Sequence, residues 1–239
     1  MDGIVSSPLK NSAAVFISGL LLRLWLVHAY PIVFGGDTVL RLANRDHILL
    51  AYQLPMLQLL IYGISLLSHD LLPVRCLMAL IGAAAGVGFY WMIRCFVSER
   101  NALIAALLFT MNPFLVEISI VPYQEPLMLA GLLFAFQYFF REQWVAASGS
   151  LALACLTRYE AWIASPLLAL AGPLLGPARG RHTVALARAS LLFGLVPIAW
   201  VLFHAGFSPS GTYVIEWPKS PWRLMRWVMR NGPRWRKSR

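Results

Sequence analysis

In the stretch CLTRYEAW (155–162) an arginine and a glutamate stand two residues apart inside an apolar run that extends over 144–170. A charge in apolar surroundings is expensive unless it is paired or hydrated, so such residues are the first candidates for chemistry. Arg158 offers a planar fork of donors matched to carboxylate or phosphate oxygens. On a continuous helix Glu160 lies about 200° around from Arg158, so the two cannot pair along one face and each needs its own partner. For Arg158 that partner would be an acid such as Glu125 or Glu117, or the phosphate of a ligand. If the helix instead ends or loosens near Tyr159, the motif sits at the edge of a hydrated cavity, and Tyr159 and Trp162 serve as interface aromatics or as a wall for a sugar. The second arrangement accounts for both charges.

Other polar residues interrupt apolar runs. Arg23 stands within the first run and is long enough to snorkel to an interface. Asn112 with Pro113, and then Glu117, interrupt the fourth. Glu125 precedes Pro126 at the start of the fifth. The connecting stretch YPIVFGGDTVLRLANRDHILLAYQLP carries Gly35 and Gly36 before Asp37, a turn followed by a plausible N-cap. TVLRLANRDHILLAY then has the spacing of an amphipathic helix lying at a membrane surface, with Arg41 and Arg45 on it. Asp37 is either the cap of that helix or a functional acid beside the bilayer.

The elements that position these residues follow from composition. Hydrophobic residues make up 59% of the 239, charged residues 13%, and the mean hydropathy is +0.67, the signature of a polytopic membrane protein. Apolar runs at 12–30, 54–68, 74–97, 102–121, 126–140, 145–170 and 184–207 give seven candidate spans. They lack the period-two alternation of barrel strands, so the expected fold is all-α, a bundle of about seven transmembrane helices with a short interfacial helix in the first extracytoplasmic loop. The first run is too long, and too poor in a small-residue cleavage site, for a removable signal peptide. Gly82 and Gly86, four apart, suit close helix approach. Cys76, Cys95 and Cys155 show neither paired nor metal-ligand spacing and read as small apolar fillers.

The net charge of +10 is a property of the tail. Residues 219–239 hold eight Lys or Arg and no acid, against twelve bases and ten acids in 1–218. Arg223, Arg226 and Arg230 share a helical face, the pattern of a short helix on anionic head groups rather than of a nucleic-acid site. The expected organisation is a transmembrane module over 1–207 and a basic juxtamembrane tail over 208–239, the stub of a longer chain.

The order of these signals resembles the GT-C superfamily of integral-membrane glycosyltransferases, in particular the family-39-like group of protein O-mannosyltransferases and aminoarabinose transferases. The resemblance covers about residues 12–170. It rests on an acid in the first loop (GGDTVLRLA), a Pro-containing opening of the second span (YQLPMLQLL) and an Arg-bearing turn before a span ending in Asn-Pro (SERNALIAALLFTMNPFLVEIS). An acid-Pro-Leu start (YQEPLMLAGLLFAF) and a Thr-Arg motif (LALACLTRYEAW) follow in order. The resemblance implies inverting transfer of a sugar from a polyprenyl-phosphate-linked donor to an acceptor at the outer face of a plasma (inner) or endoplasmic reticulum membrane. By position Asp37 is the base that takes the acceptor's proton, and Arg41, Arg45 or Arg158 would face the leaving phosphate. Many relatives carry two adjacent acids in the first loop. Here Thr38 follows Asp37, which points to Glu125 as the second acid. Glu125, Arg158, Tyr159 and Glu160, with Arg41, are the expected substrate-binding residues. The resemblance leaves room for a divalent metal and names no other cofactor.

Counting every run as a full crossing puts Glu125 on the opposite side of the membrane from Asp37 and places Arg179, Arg181 and Arg188 inside, as the positive-inside rule prefers, yet it leaves Arg94 and Arg100 outside, so the charge signal is split. One re-entrant run would change that count. Two other classes of protein fit the same charges: a transporter using them as a relay, which would show inverted repeats, and a noncatalytic relative or assembly subunit acting through a partner.

Overall fold

The computed structural model describes residues 7–30, 35–50, 53–168 and 196–202. Among them helix is the only regular secondary structure, and the sole β feature is an isolated bridge between Leu50 and Gln53. The helices are α1 (Pro8–Ala29), α2 (Gly36–Ala43), α3 (Pro55–Ser65), α4 (Leu71–Ile93), α5 (Glu99–Thr110), α6 (Pro113–Ile118), α7 (Glu125–Phe140) and α8 (Trp144–Cys155), followed by a 3-10 turn over Tyr159–Ile163. The tail 208–239 lies outside the described residues, as does most of the run at 184–207.

The expectation of seven spanning helices is not met by what is described. Only α1, with 22 residues, and α4, with 23, are long and apolar enough to cross a membrane. Local chemistry explains why other runs are cut. Residues before proline avoid the helical region, and proline has no N–H to donate, so the run at 102–121 breaks at Asn112–Pro113. Asn112 Oδ1 then accepts from the backbone N–H of Phe114 at 3.0 Å and of Leu115 at 3.3 Å, capping α6 as a new helix. Proline likewise opens α1, α3 and α7. The run at 145–170 breaks after Cys155, where Arg158 is extended at φ −146°, ψ 147°.

Helix α4 is the centre of the bundle and packs on α1, α5 and α7, with α8 against α7. Close approach is bought by small residues. A Cβ on Gly82 would lie 2.6 Å from Arg23 Nε, and one on Gly86 or Gly19 would collide with the Thr110 side chain. The gap so opened holds Arg23, only 1% exposed. Arg23 does not snorkel. Its Nε donates to Ser119 Oγ at 2.6 Å, and its Nη1 donates to the carbonyls of Gly19 at 3.0 Å and Thr110 at 3.1 Å. The carbonyl of Thr110 is available because the Asn112–Pro113 break ends α5 there. Arg75 does similar work, donating to Ile120 O at 2.9 Å and Val27 O at 3.0 Å.

These contacts set the direction of every helix. Arg75 joins the end of α1, the start of α4 and the segment after α6 at what we call the upper end. At the lower end Glu99 accepts from Asn11 Nδ2 at 2.7 Å and pairs with Arg94 Nε at 2.6 Å, joining the starts of α1 and α5 to the end of α4. The rings of Phe139 and Trp144 pair at 5.4 Å where α7 turns into α8, so α8 runs antiparallel to α7, back to the upper end.

Helix α3 does not run from one end to the other. Its start is tied to the end of α8, Met56 N–H donating to Leu156 O at 3.1 Å. Ser65 Oγ, at its last residue, donates to Arg45 O at 3.4 Å, just past α2, and α4 then begins at the upper end. With 11 residues it is about 16 Å long. Leu57 and Ile61 on it pack with Val74, Met78 and Leu127. The run at 54–68 therefore does not cross from one end to the other. That corrects the full-crossing count: Asp37 and Glu125 lie at the same end, while Arg94 and Arg100 lie at the other. Of the cysteines, Cys155 is buried, Cys76 half-buried and Cys95 exposed, so Cys95 is not the filler that its run suggested.

Candidate functional site

The upper end gathers the residues singled out in the sequence. Gly35 has φ +116°, a conformation suited to glycine, and the Tyr123 hydroxyl lies where its Cβ would be. Gly35 is the N-cap of α2, and no side chain caps the helix. This corrects the reading of Asp37 as the cap. Asp37 sits inside the first turn, exposed, beside the positive end of the helix dipole. One turn on, Arg41 faces inward and is 1% exposed.

Two helix starts and one helix break close around Arg41. Gln58 on α3 donates from Nε2 to the carbonyls of Asn44 at 2.8 Å and Arg41 at 3.4 Å, holding the end of α2. Glu125 heads α7. After α8, Thr157 Oγ1 donates back to Leu153 O at 2.7 Å and Trp162 Nε1 donates to Cys155 O at 2.9 Å, fixing the path of the break. Arg158 forms an ion pair with Glu125 through Nη1 and, through Nε, donates to Glu160 Oε2 at 3.0 Å. The helix does end before Tyr159, as the favoured arrangement expected, but the two charges pair with each other, which the angle on a continuous helix had excluded. With Arg158 extended and Glu160 in the 3-10 turn, the two side chains meet. Tyr159 is 44% exposed and stands edge-on to Trp162 with ring centres 5.0 Å apart.

Electrostatics tie the set together. Burial pushes the Arg41 guanidinium down to about 10, while the charges of Asp37 and Glu125 resist this and that of Arg158 adds to it. Hydrogen bonds from Arg158 hold the Glu160 carboxyl below its usual range. Asp37, Arg41, Glu125 and Arg158 thus share one neighbourhood, with Glu160 attached through Arg158 and Tyr159 next to it in the 3-10 turn. The three arginines differ. Arg158 already faces two carboxylates, and Arg45 donates to the carbonyl of His69. Both terminal nitrogens of Arg41 are buried with no hydrogen-bond partner.

Sequence reasoning passed over Thr38 and Gln58, both fully buried at this end, and Arg75. A polar residue within an apolar run was the available signal for Gln58 and Arg75. A small, partly open cleft with free room for about one water molecule lies elsewhere, lined by Arg23, Gly82, Phe109, Ile118, Ser119 and Pro126 among others, and none of the expected site residues lines it. Among the described residues no three His, Cys, Asp or Glu side chains gather into a set that could hold a metal ion. No protein-family model, curated protein or solved structure matches the chain.

Proposed function

We propose that the protein is a polytopic membrane glycosyltransferase of the GT-C kind, moving a sugar from a polyprenyl-phosphate-linked donor to an acceptor at the outer face. The observation that carries this reading is Arg41: a buried guanidinium with two idle nitrogens, one helical turn from an exposed carboxylate. Asp37 and Glu125 act on this cation only through their charge, and buried guanidinium nitrogens without hydrogen-bond acceptors are unfavourable; a phosphate supplies those acceptors. In the reaction Asp37 takes the proton of the acceptor hydroxyl as its oxygen bonds to the anomeric carbon. The bond from that carbon to the phosphate oxygen breaks, its electron pair leaves with the phosphate, and Arg41 stabilises the charge that develops there. A single displacement inverts the anomeric centre. Arg158 serves as a positioning residue, keeping Glu125 at the head of α7.

Orientation supports the outer face. The lower end carries Lys10, Arg94, Arg100 and Arg141 against Glu99 and Glu142. The upper end carries Asp37, Asp46, Asp70, Glu125 and Glu160 against Arg41, Arg45, Arg75 and Arg158, and since Arg41 and Arg75 are buried only two of its bases face outward, against four at the lower end. Positive-inside charge bias turns the lower end to the cytoplasm and Asp37 outward.

The test uses the full chain in liposomes with short-chain polyprenyl-phosphate hexose and pentose donors and a membrane extract as acceptor, following release of the free polyprenyl phosphate. Wild type should release it, and Asp37→Asn, which keeps the shape but cannot accept the proton, should not. No release by wild type, or undiminished release by Asp37→Asn, overturns the reading.

A further inference from the structure

Among the described residues nine buried side-chain polar atoms have no hydrogen-bond partner, and six of them belong to Thr38, Arg41, Gln53, Gln58 and Glu125. Such atoms are rare in folded proteins, and each is unfavourable enough that a cluster calls for a physical reason. The cluster is not a basic patch alone. Arg41 supplies donors, but the Oε1 of Gln58 and the Oε2 of Glu125 are acceptors, and Thr38 Oγ1 is both.

For Gln58 and Glu125 the other polar atom of the same group is already engaged, which leaves the buried acceptor idle. Gln58 uses its amide nitrogen on the carbonyls of Asn44 and Arg41, which fixes Oε1 as the free atom. Glu125 gives Oε1 to Arg158 and keeps Oε2. Thr38 is one turn before Arg41 on the same buried face of α2, and neither is more than 1% exposed. A phosphate at Arg41 satisfies the guanidinium but offers no hydrogen to Gln58 or Glu125. A prenyl chain offers none either. The missing partner is a group rich in hydroxyls, attached close to the phosphate.

We propose that Thr38, Gln58 and Glu125 form, beside Arg41, a subsite that reads the hydroxyl groups of a neutral sugar next to its anomeric phosphate. This rests on the glycosyl-transfer reading and adds the class of sugar and the residues that select it. Thr38 is the cleanest probe. Its hydroxyl holds up nothing in the unliganded protein, so Thr38→Val exchanges an idle polar atom for a methyl of the same shape. The unliganded protein should melt higher while the liganded one binds more weakly, and a merely structural hydroxyl would not give these opposite signs.

The experiment measures binding to the full chain in nanodiscs with two probes, a short-chain polyprenyl phosphate and the same carrier bearing a hexosyl group. Wild type should bind the hexosyl probe about tenfold more tightly than the bare phosphate. Thr38→Val should narrow that ratio about fivefold, leave the bare-phosphate affinity unchanged and raise the melting temperature. Gln58→Met should abolish the preference. If wild type binds neither probe, the glycosyl-transfer reading falls and the subsite with it. If wild type binds both equally, or Thr38→Val keeps the full ratio or melts lower, the subsite alone is overturned and the transfer reading stands.

Discussion

Two buried arginines, one at the middle of the bundle and one at its upper end, are treated in opposite ways by the fold. Arg23 is wrapped: α4 gives up a side chain at Gly82 to admit it, and a broken helix presents the Thr110 carbonyl and the Ser119 hydroxyl to it. Arg41 is equally hidden but has no partner at either terminal nitrogen. A cation that the chain surrounds with acceptors belongs to the architecture. A cation hidden and left without them is held ready for something that arrives.

Replacing the two arginines by methionine breaks or sharpens that contrast. On the proposed function, Arg41→Met should reduce glycosyl transfer by about a hundredfold or more by removing the charge assigned to the leaving phosphate, while thermal stability holds or rises because two buried donors without partners are gone. Arg23→Met should do the reverse. It strands the Thr110 carbonyl, removes the donor to the Ser119 hydroxyl and should lower unfolding stability by about 3 kcal/mol in detergent. Equal melting losses for the two variants would collapse the distinction.

A smaller effect is expected at the break after α8. Arg158 and its two carboxylates are partly exposed, so Arg158→Gln should lower stability by no more than about 1 kcal/mol, read by thermal melting. The same pairing sets a pH dependence. The folded-state carboxyl of Glu160 lies below its ordinary value, so its contribution is present above the ordinary carboxylate range and is lost as pH falls through the depressed value. Acid titration of wild type should show this small loss, and Arg158→Gln should not. A variant that still shows it would assign the acid sensitivity to another carboxylate.

Legibility in the sequence followed the range of the forces involved. The helical class, α1 and α4 were readable because apolar length is a local property, and the break at Asn112–Pro113 was visible in the dipeptide itself. The path of α3 was not. An apolar run of suitable composition says nothing about whether its two ends reach opposite sides, and here hydrogen bonds from Met56 to Leu156 and from Ser65 to Arg45, partners 100 and 20 residues away, bring both back to one end. The break near Tyr159 was readable from two charges inside an apolar run, but the Arg158–Glu160 pairing was not, because the ideal helical angle does not apply where the backbone at Arg158 is extended. Asp37, Arg41, Glu125 and Arg158 were all named from their types and positions. What could not be read was which arginine is already satisfied, since that depends on carboxylates delivered by other helices. Thr38 was overlooked because a neutral polar residue in an amphipathic stretch carries no mark of its burial, whereas Gln58 stood within an apolar run and could have been found.

The setting of Arg23 also bears on how the chain is made. Of its partners, the carbonyl of Gly19 belongs to its own helix, but Ser119 lies 96 residues further along. At synthesis rates of about 5–20 residues per second, that hydroxyl follows the arginine by roughly 5–20 s. On the membrane reading α1 waits through that interval with a charge that opposes insertion by about 3 kcal/mol. The first helix is therefore a poor anchor by itself and becomes a secure one only when the fifth and sixth helices arrive.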